Sequence, residues 1–144
     1  VANFVKQIKG SIGYVEAAYA KQNKMTATQL QNKDGAYVMA DEDSIKAAAG
    51  NAEWEKAPGF YEILTNEPGK KSWPIVGATF ILMHKQQANP AQAAQVLKFF
   101  EWAYANGDKM ATELDYIPMP DNVVKLINNS WKANIKGMDG KAVY

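Results

Sequence analysis

The chain has 144 residues, enough for one core that buries about 68–70% of the surface of the unfolded form. Hydrophobic residues make up 47%, charged residues 22%, and the net charge is +1, which excludes both a disordered composition and the clustered basic surface typical of nucleic-acid binding. No apolar run approaches the roughly 18 residues that predict a membrane span.

Two residue types are absent, and each absence restricts the possible sites. Without cysteine, disulfides, thiolate metal sites and cysteine nucleophiles are excluded. All sixteen basic residues are lysine. Sites that hold phosphate or carboxylate usually include a planar guanidinium that donates two hydrogen bonds to the anion. We therefore expect the main cationic ligand of any oxyanion site to lie outside this sequence.

The first quarter of the chain predicts a helix, a strand and a second helix. Phe4, Val5 and Ile8 follow helical spacing up to Gly10, so the chain is expected to begin inside a helix, as a fragment would. Residues 11–15 form a short β-prone run and are predicted to be a strand. The alanine-rich residues 16–23 then predict a helix.

A hairpin, a capped helix and a further strand are predicted next. Residues 25–30 and 36–39 flank a Lys-Asp-Gly turn signal and predict two strands of a hairpin. Asp41 or Asp43 is expected to cap a helix that runs to Ala49 and ends at Gly50. Residues 60–65 are predicted to be another strand.

Residues 73–84 form the longest β-prone run of the sequence. They follow a turn-rich stretch, and their hydrophobic residues are too continuous for a half-exposed strand. Strands that are buried on both faces of a mixed or parallel sheet have this pattern. We therefore predict a buried strand over 73–84.

The last third predicts three helices. Asn89 is a suitable cap with Pro90 at the first helical position, and an apolar stripe continues to Asn106-Gly107. The stripe comprises Ala93, Val96, Leu97, Phe100, Ala103 and Tyr104. A short helix over 108–114 and a third helix after Pro120, ending at Gly137, follow. The inward residues of the third helix are predicted to be Val124, Ile127, Trp131 and Ile135. Strands mixed with helices in this way indicate an α/β class.

No group of residues predicts a catalytic or metal centre. His84 is the single histidine, and without a second histidine or a cysteine it is expected to be structural or to face solvent. The acidic residues 41–43 have the pattern of a helix cap rather than of a cation site. Residues 32–35 resemble the start of a calcium loop but lack its later ligands, so a turn is predicted there.

Two further patterns in the sequence do not indicate a binding site. Gly10 and Gly13 do not have the spacing of a Walker loop or a dinucleotide fingerprint, which argues against a phosphate cradle. The tryptophans fall mostly at positions predicted to face the core, so an aromatic binding platform is not required to explain them. We predict no catalytic residue, no metal ligand and no cofactor, and hence no enzyme activity.

Several segments, in order along nearly the whole chain, resemble phosphate-binding proteins of Pst-type ABC importers. The matching segments are 10–16 (GSIGYVE), 19–23 (YAKQN), 73–75 (WPI), 79–82 (TFIL), 96–104 (VLKFFEWAY), 114–120 (LDYIPMP), 131–132 (WK) and 140–144 (GKAVY). Residues 25–56 match more loosely. The sequence is thus similar to the C-terminal portion of such a receptor.

The resemblance implies an α/β, type II periplasmic binding protein fold, present here in part. Two lobes joined by two crossing strands close on the anion, and the full protein is roughly twice this length. Residues 1–72 would belong to the second lobe. Residues 73–144 would contain the return crossing and the C-terminal part of the first lobe.

The resemblance also implies where the phosphate ligands lie. In the family these are backbone amides and hydroxyls at helix N-termini, an arginine and an aspartate, and none of them maps onto this sequence. They are expected upstream of Val1, so no ligand-binding residue is assigned within the chain. A periplasmic receptor, the permease of an ABC importer as partner, and a separate N-terminal half as a second peptide are further expectations. The alternatives are a stand-alone interaction or surface module and a receptor for another oxyanion.

Overall fold

Six α-helices account for most of the regular structure in the computed structural model, which describes residues 1–144. They are α1 (Ala2–Gln7), α2 (Ala17–Gln22), α3 (Glu42–Asn51), α4 (Pro90–Asn106), α5 (Asp108–Glu113) and α6 (Asp121–Asn134). A 3₁₀ turn covers Pro58–Phe60. The helices predicted over 16–23, 90–106 and 108–114 are confirmed, each to within a residue or so.

Four short strands form two separate two-stranded sheets. β1 (Leu30–Gln31) pairs antiparallel with β2 (Tyr37–Val38), so the predicted hairpin is confirmed in a shorter form. β3 (Gln86–Gln87) pairs parallel with β4 (Lys136–Gly137). The chain therefore mixes helices with small antiparallel and parallel sheets, in agreement with part of an α/β protein.

Local capping signals explain where two of the helices begin. The Asp41 side chain accepts from the Ser44 amide, and Ser44 Oγ accepts in return from the Asp41 amide, which is a complete capping box. Asn89 caps α4 in the same way by accepting from the Gln92 amide. The helix α3 continues through Gly50 to Asn51, so it extends two residues beyond its predicted last residue, Ala49.

The main core lies where α3 and α6 meet. Its buried members come from α3, the following turn, the segment before the 66–72 loop and α6: Ala49, Trp54, Leu64 and Val123. Trp54 also donates from Nε1 to the carbonyl of Ala49 at 2.7 Å. In α6 the most deeply buried residue is Val123, whereas the predicted inward residues Val124, Ile127 and Trp131 are only half-buried. The core therefore joins the two halves of the chain.

A second, smaller packing region surrounds α4. Ala93 and Leu97 of its predicted stripe are buried, and Ile135 is buried just after α6. The ring of Trp131 lies 6.1 Å from that of Tyr104 and 6.1 Å from that of Tyr144. These aromatic contacts hold the C-terminal residues against α4 and α6.

The predicted strands 11–15, 60–65 and 73–84 are not formed. Apart from a single antiparallel bridge between Thr65 and Ile75, these residues contain no strand. The prediction of a buried 73–84 strand is also wrong about burial, because Ile75, Phe80, Ile81 and Leu82 are exposed. A β-prone sequence becomes a strand only when a neighbouring strand supplies hydrogen-bond partners, and for these segments the chain supplies such partners only around the Thr65–Ile75 bridge.

Candidate functional site

A cleft of about 590 Å³ lies beside the turn that follows α3. Its walls are mainly polar and come from the β1–β2 turn, the end of α3 and the chain around residues 53–68. The lining residues are Lys33, Asn51, Glu53, Lys56, Ala57, Tyr61, Glu62, Glu67 and Pro68.

The charges of this cleft do not suit an anion. Glu53, Glu62 and Glu67 face only two lysines, and Lys56 Nζ already donates to Glu53 Oε1 at 2.6 Å. Burial is the main cause that raises the pKa of Glu67, with Glu62 and Glu53 adding to the effect and Lys33 opposing it. A phosphate in the cleft would meet more carboxylates than free cations. The cleft therefore offers no oxyanion site.

The residues considered as candidates in the sequence are spread over the molecule. His84 is exposed on the segment before β3, and the acidic residues 41–43 form the start of α3, where Asp41 is the cap. Residues 32–35 form a turn, in which Gly35 has a φ of +80°. No group of three or more His, Asp or Glu side chains is placed to hold a metal ion. No helix has the length and apolar character needed to cross a bilayer.

A buried hydrogen-bond network around Asn32 is absent from the sequence predictions. Asn32 Nδ2, which carries two hydrogens, lies within hydrogen-bond distance of three carbonyls of the 66–72 loop, those of Gly69 (3.2 Å), Lys70 (2.9 Å) and Ser72 (3.1 Å). Its Oδ1 accepts from two amides of its own turn. Ser72, which is fully buried, donates from Oγ to the Pro68 carbonyl at 2.6 Å. The network joins the hairpin turn to the loop that precedes Trp73.

This network also fixes the backbone that leads into the predicted crossing. The Trp73 amide donates to the Ser44 carbonyl at 2.9 Å, and the Asn66 amide donates to the Pro74 carbonyl at 2.8 Å. Asn51 Nδ2 donates to Ser72 Oγ and adds a contact from α3. Asparagine in a turn is ordinarily a local signal, and nothing in the sequence shows that Asn32 also bonds a loop 37–40 residues away.

Two β-prone segments have no backbone hydrogen-bond partners in the chain. Residues 12–15 and 77–83 make no backbone–backbone hydrogen bonds. Their hydrophobic side chains are largely uncovered, with Ile12 95%, Tyr14 88% and Leu82 92% exposed. Unpaired backbone N–H and C=O groups beside exposed apolar side chains are typical of a strand that lacks its neighbouring strand. We call these two stretches the unpaired segments.

The helix α4 carries an exposed aromatic face made of Val96, Phe99 and Trp102. Phe99 and Trp102 are 60% and 52% exposed, and their rings are stacked with centroids 6.5 Å apart. The prediction that the tryptophans face the core is therefore wrong for Trp102. Within the predicted stripe, Ala93 and Leu97 are buried, whereas Val96 lies on the exposed face.

The total surface shows that these uncovered areas are large. The accessible surface is 10236 Å², whereas a folded monomer of 15.9 kDa is expected to expose about 7,400 Å². Only 14 of the 144 residues are buried, and 22 large hydrophobic side chains are exposed. A soluble monomer rarely leaves so much apolar surface uncovered. The chain by itself is therefore packed like part of a larger unit.

We expect the isolated chain to bind a hydrophobic dye strongly, because its exposed apolar areas offer binding sites. Replacing Phe99 and Trp102 together by serine should lower the dye fluorescence markedly, whereas Gln95→Ser, on the same helix and also exposed, should not. Dye fluorescence and thermal unfolding are measured on the same samples. Weak dye binding together with cooperative melting of the unaltered chain would contradict the expectation.

The chain is similar along its whole length to bacterial phosphate-binding proteins. It is 49% identical over 144 residues to "Phosphate-binding protein PstS" of Pasteurella multocida (strain Pm70), with all of the chain and 42% of the relative covered. The protein of the same name from Haemophilus influenzae (strain ATCC 51907 / DSM 11121 / KW20 / Rd) is 50% identical over 136 residues, 94% of the chain and 41% of the relative. The chain is a partial PstS-like sequence.

The similarity extends to a more distant relative, but the chain matches only part of the length of each relative. A "Phosphate-binding protein PstS" of Methanocaldococcus jannaschii is 27% identical over 137 residues, which covers 88% of the PstS-like chain and 35% of the relative. No protein-family model matches the chain. The PstS-like chain spans about two fifths of the length of the relatives it matches. The name that these relatives share describes a binding protein.

Proposed function

We propose that the chain is part of a receptor subunit that captures inorganic phosphate for an ABC importer. The observation that carries the proposal is the identity of about one half, over the whole chain, to proteins named for phosphate binding. In this proposal the role is binding and delivery without catalysis. The receptor acts in the periplasm and passes phosphate to the membrane permease of the importer.

The phosphate ligands are proposed to lie in polypeptide outside these 144 residues. Two properties of the chain support this. It has no arginine, and the charged residues of the cleft beside α3 are three glutamates and two lysines. An oxyanion site needs several converging donors, such as amides at a helix N-terminus or a guanidinium. The chain thus acts as scaffold for a site completed elsewhere.

We propose that the boundary between the two lobes lies after Ser72, the last residue of the Asn32 network. Residues 1–72 would form part of one lobe, and residues 73–144 the return crossing and part of the other. The bridge between Thr65 and Ile75 and the bond from the Trp73 amide to the Ser44 carbonyl support an anchored crossing at 73–75. A crossing that is held at one end can bend at the other, as closure around an anion requires.

We propose that the exposed apolar surfaces of the chain are covered by the rest of a PstS-like protein, either in the same chain or as a separate peptide. About 2,800 Å² of surface beyond the monomer expectation supports this, because a standard interface covers only about 800 Å² per partner. The unpaired segments would then become strands of sheets completed by the remainder. The exposed aromatic face of α4 would become part of the core.

The proposal is tested by titrating inorganic phosphate calorimetrically into two proteins. One is the 144-residue chain, and the other is a chimera in which this chain replaces the matched segment of the Pasteurella multocida relative. We expect heat of binding from the chimera and none from the chain alone, because the ligands come from the remainder. Phosphate binding by the chain alone would place a site within it. A folded chimera without phosphate affinity would overturn the receptor role.

Two alternative functions give different results in the same experiment. A stand-alone interaction module, which the exposed aromatic face of α4 favours, predicts a stable monomer with no affinity for phosphate and no dependence on a second half. A receptor for another oxyanion predicts that, in the same titration of this chain joined to the remainder of its own protein, phosphate binds no better than sulfate. Sulfate is therefore titrated beside phosphate, since a hydrogen-bond acceptor in the site would accept protonated phosphate and reject sulfate.

A further inference from the structure

The first 24 residues are attached to the rest of the molecule through one carboxylate. Lys21 Nζ donates to Asp115 Oδ1 at 2.5 Å, and Gln22 Nε2 donates to Asp115 Oδ2 at 3.2 Å. These are the only hydrogen bonds that join residues 1–24 to residues beyond Met25, and 94 positions separate Lys21 from Asp115. Each oxygen of one carboxylate thus holds a different side chain of α2.

Core packing does not hold this region. Neither α1 nor α2 contains a buried residue. The following residues, 26–29, make no backbone–backbone hydrogen bonds before β1 begins at Leu30. Lys24, which precedes them, has a φ of +50°, in the left-handed region that non-glycine residues rarely adopt. The connection therefore has the properties of a hinge.

Asp115 is itself held in a defined position. It also has a left-handed backbone, with a φ of +61°, and its amide donates to the Thr112 carbonyl at 3.0 Å in the turn that ends α5. Its side chain is only 15% exposed although that of Lys21 is 76% exposed. The hydrogen bond from Lys21, followed by that from Gln22, lowers the pKa of Asp115. The carboxylate is therefore charged at neutral pH and can accept hydrogen bonds from both Lys21 and Gln22.

We propose that residues 1–24 form a hinged arm that docks reversibly on the Asp115 carboxylate through Lys21 and Gln22. The arm carries residues 12–15, one of the two unpaired segments. Docking thus fixes where a neighbouring strand can join this segment, and release lets the segment move. Because the Lys21 side chain is 76% exposed, the ion pair stabilises the contact only weakly and is screened by salt, so the docked and released states are close in free energy. The inference does not depend on phosphate binding.

The arm is tested by measuring a distance across the contact. Because the chain has no cysteine, spin labels can be placed specifically at Ala17→Cys on the arm and Lys125→Cys on α6, both at exposed positions. We expect a narrow distance distribution for the otherwise unaltered chain. Asp115→Asn and Lys21→Met should each broaden it, and 1 M NaCl should have the same effect.

Hydrogen exchange measures how strongly the Asp115 contact protects α2, and further variants test whether the effect is specific to this ion pair. Amide exchange in α2 should rise about two- to fivefold in Asp115→Asn, the range that corresponds to losing one exposed ion pair. The exchanged pair Lys21→Asp with Asp115→Lys should restore both readouts in part. Lys109→Met removes a different exposed lysine, paired to Glu113 at 3.8 Å, and should change neither.

Two results would overturn the arm. Asp115→Asn could leave the distance distribution and the α2 exchange unchanged, which would mean that other contacts hold residues 1–24. Alternatively, Lys109→Met could broaden the distribution as much as Lys21→Met, which would mean a general effect of charge. Far-UV circular dichroism of each variant identifies any loss of fold, and Gln22→Ala, which keeps every charge, provides the second variant that weakens docking.

Discussion

Replacing Trp54 with alanine is expected to lower the free energy of unfolding by about 3–5 kcal/mol, the range for removing a buried tryptophan. Trp54 is 3% exposed and lies in the core cluster between α3 and α6. Its ring contacts Phe60 and Phe80, and its Nε1 hydrogen bond leaves the Ala49 carbonyl without a donor when it is lost. The measurement is urea unfolding followed by circular dichroism at 222 nm.

The chain contains a matched control for this substitution. Trp102 is 52% exposed on α4, and its replacement by alanine removes the same side chain from the surface. We expect a change within about 0.5 kcal/mol, as for most surface substitutions. Equal losses for the two variants would show that the α3–α6 cluster is not the centre of stability and that α4 is covered in solution.

Replacing Asn32 with alanine is expected to cost about 2–4 kcal/mol, because it removes the donor for buried carbonyls and both acceptor contacts of the turn. Asn32 is 6% exposed and bonds Gly69, Lys70 and Ser72 across the molecule. The 66–72 loop should lose hydrogen-exchange protection, and the segment leading into Trp73 should lose it as well. Urea unfolding gives the free energy and hydrogen exchange gives the location.

Two variants separate the network from general effects of the amide. Asn32→Asp keeps the Oδ1 contacts of the turn but removes the donor and places a charge beside carbonyl oxygens, so we expect it to cost at least as much as alanine. Asn134→Ala removes an exposed asparagine that bonds only within its own helix and should change stability by less than about 0.5 kcal/mol. A small effect of Asn32→Asp would show that the long-range bonds contribute little.

The helices could be predicted because their determinants are local. Asn89, Pro90 and the spacing of Ala93 and Leu97 set the start and the buried side of α4, and Asp41 with Ser44 sets the start of α3. Each of these contacts lies within one or two turns of helix. The short sequence separation is what makes such signals readable.

The strands could not be predicted because a strand is defined by its neighbour. The runs 11–15 and 73–84 have a suitable composition, yet residues 12–15 and 77–83 have no backbone partner within the chain. The pair β3–β4 was missed for the opposite reason, because Gln86 and Lys136 lie in unremarkable polar sequence. Composition records the tendency to be extended, whereas pairing depends on residues far away or outside the chain.

The composition gave the main expectation about the site. The absence of arginine argued against a complete oxyanion site in this chain, and that expectation stays a prediction. The contact of Lys21 with Asp115 could not be predicted, because 94 positions separate the two residues and no local pattern links them. Long-range polar contacts of this kind carry no periodic signal.

The parallel pairing of β3 with β4 also has a consequence during protein synthesis. Gln86 emerges 50 positions before Lys136, its partner in the register. At about 5–20 residues per second, that interval lasts about 3–10 s. Helix formation takes about a microsecond, so α4 can form long before its neighbouring strand exists. During those seconds Phe99 and Trp102 are exposed, and so are the apolar groups of α4 that the later part of the chain will cover. In this interval the nascent chain is most exposed to chaperones and to aggregation.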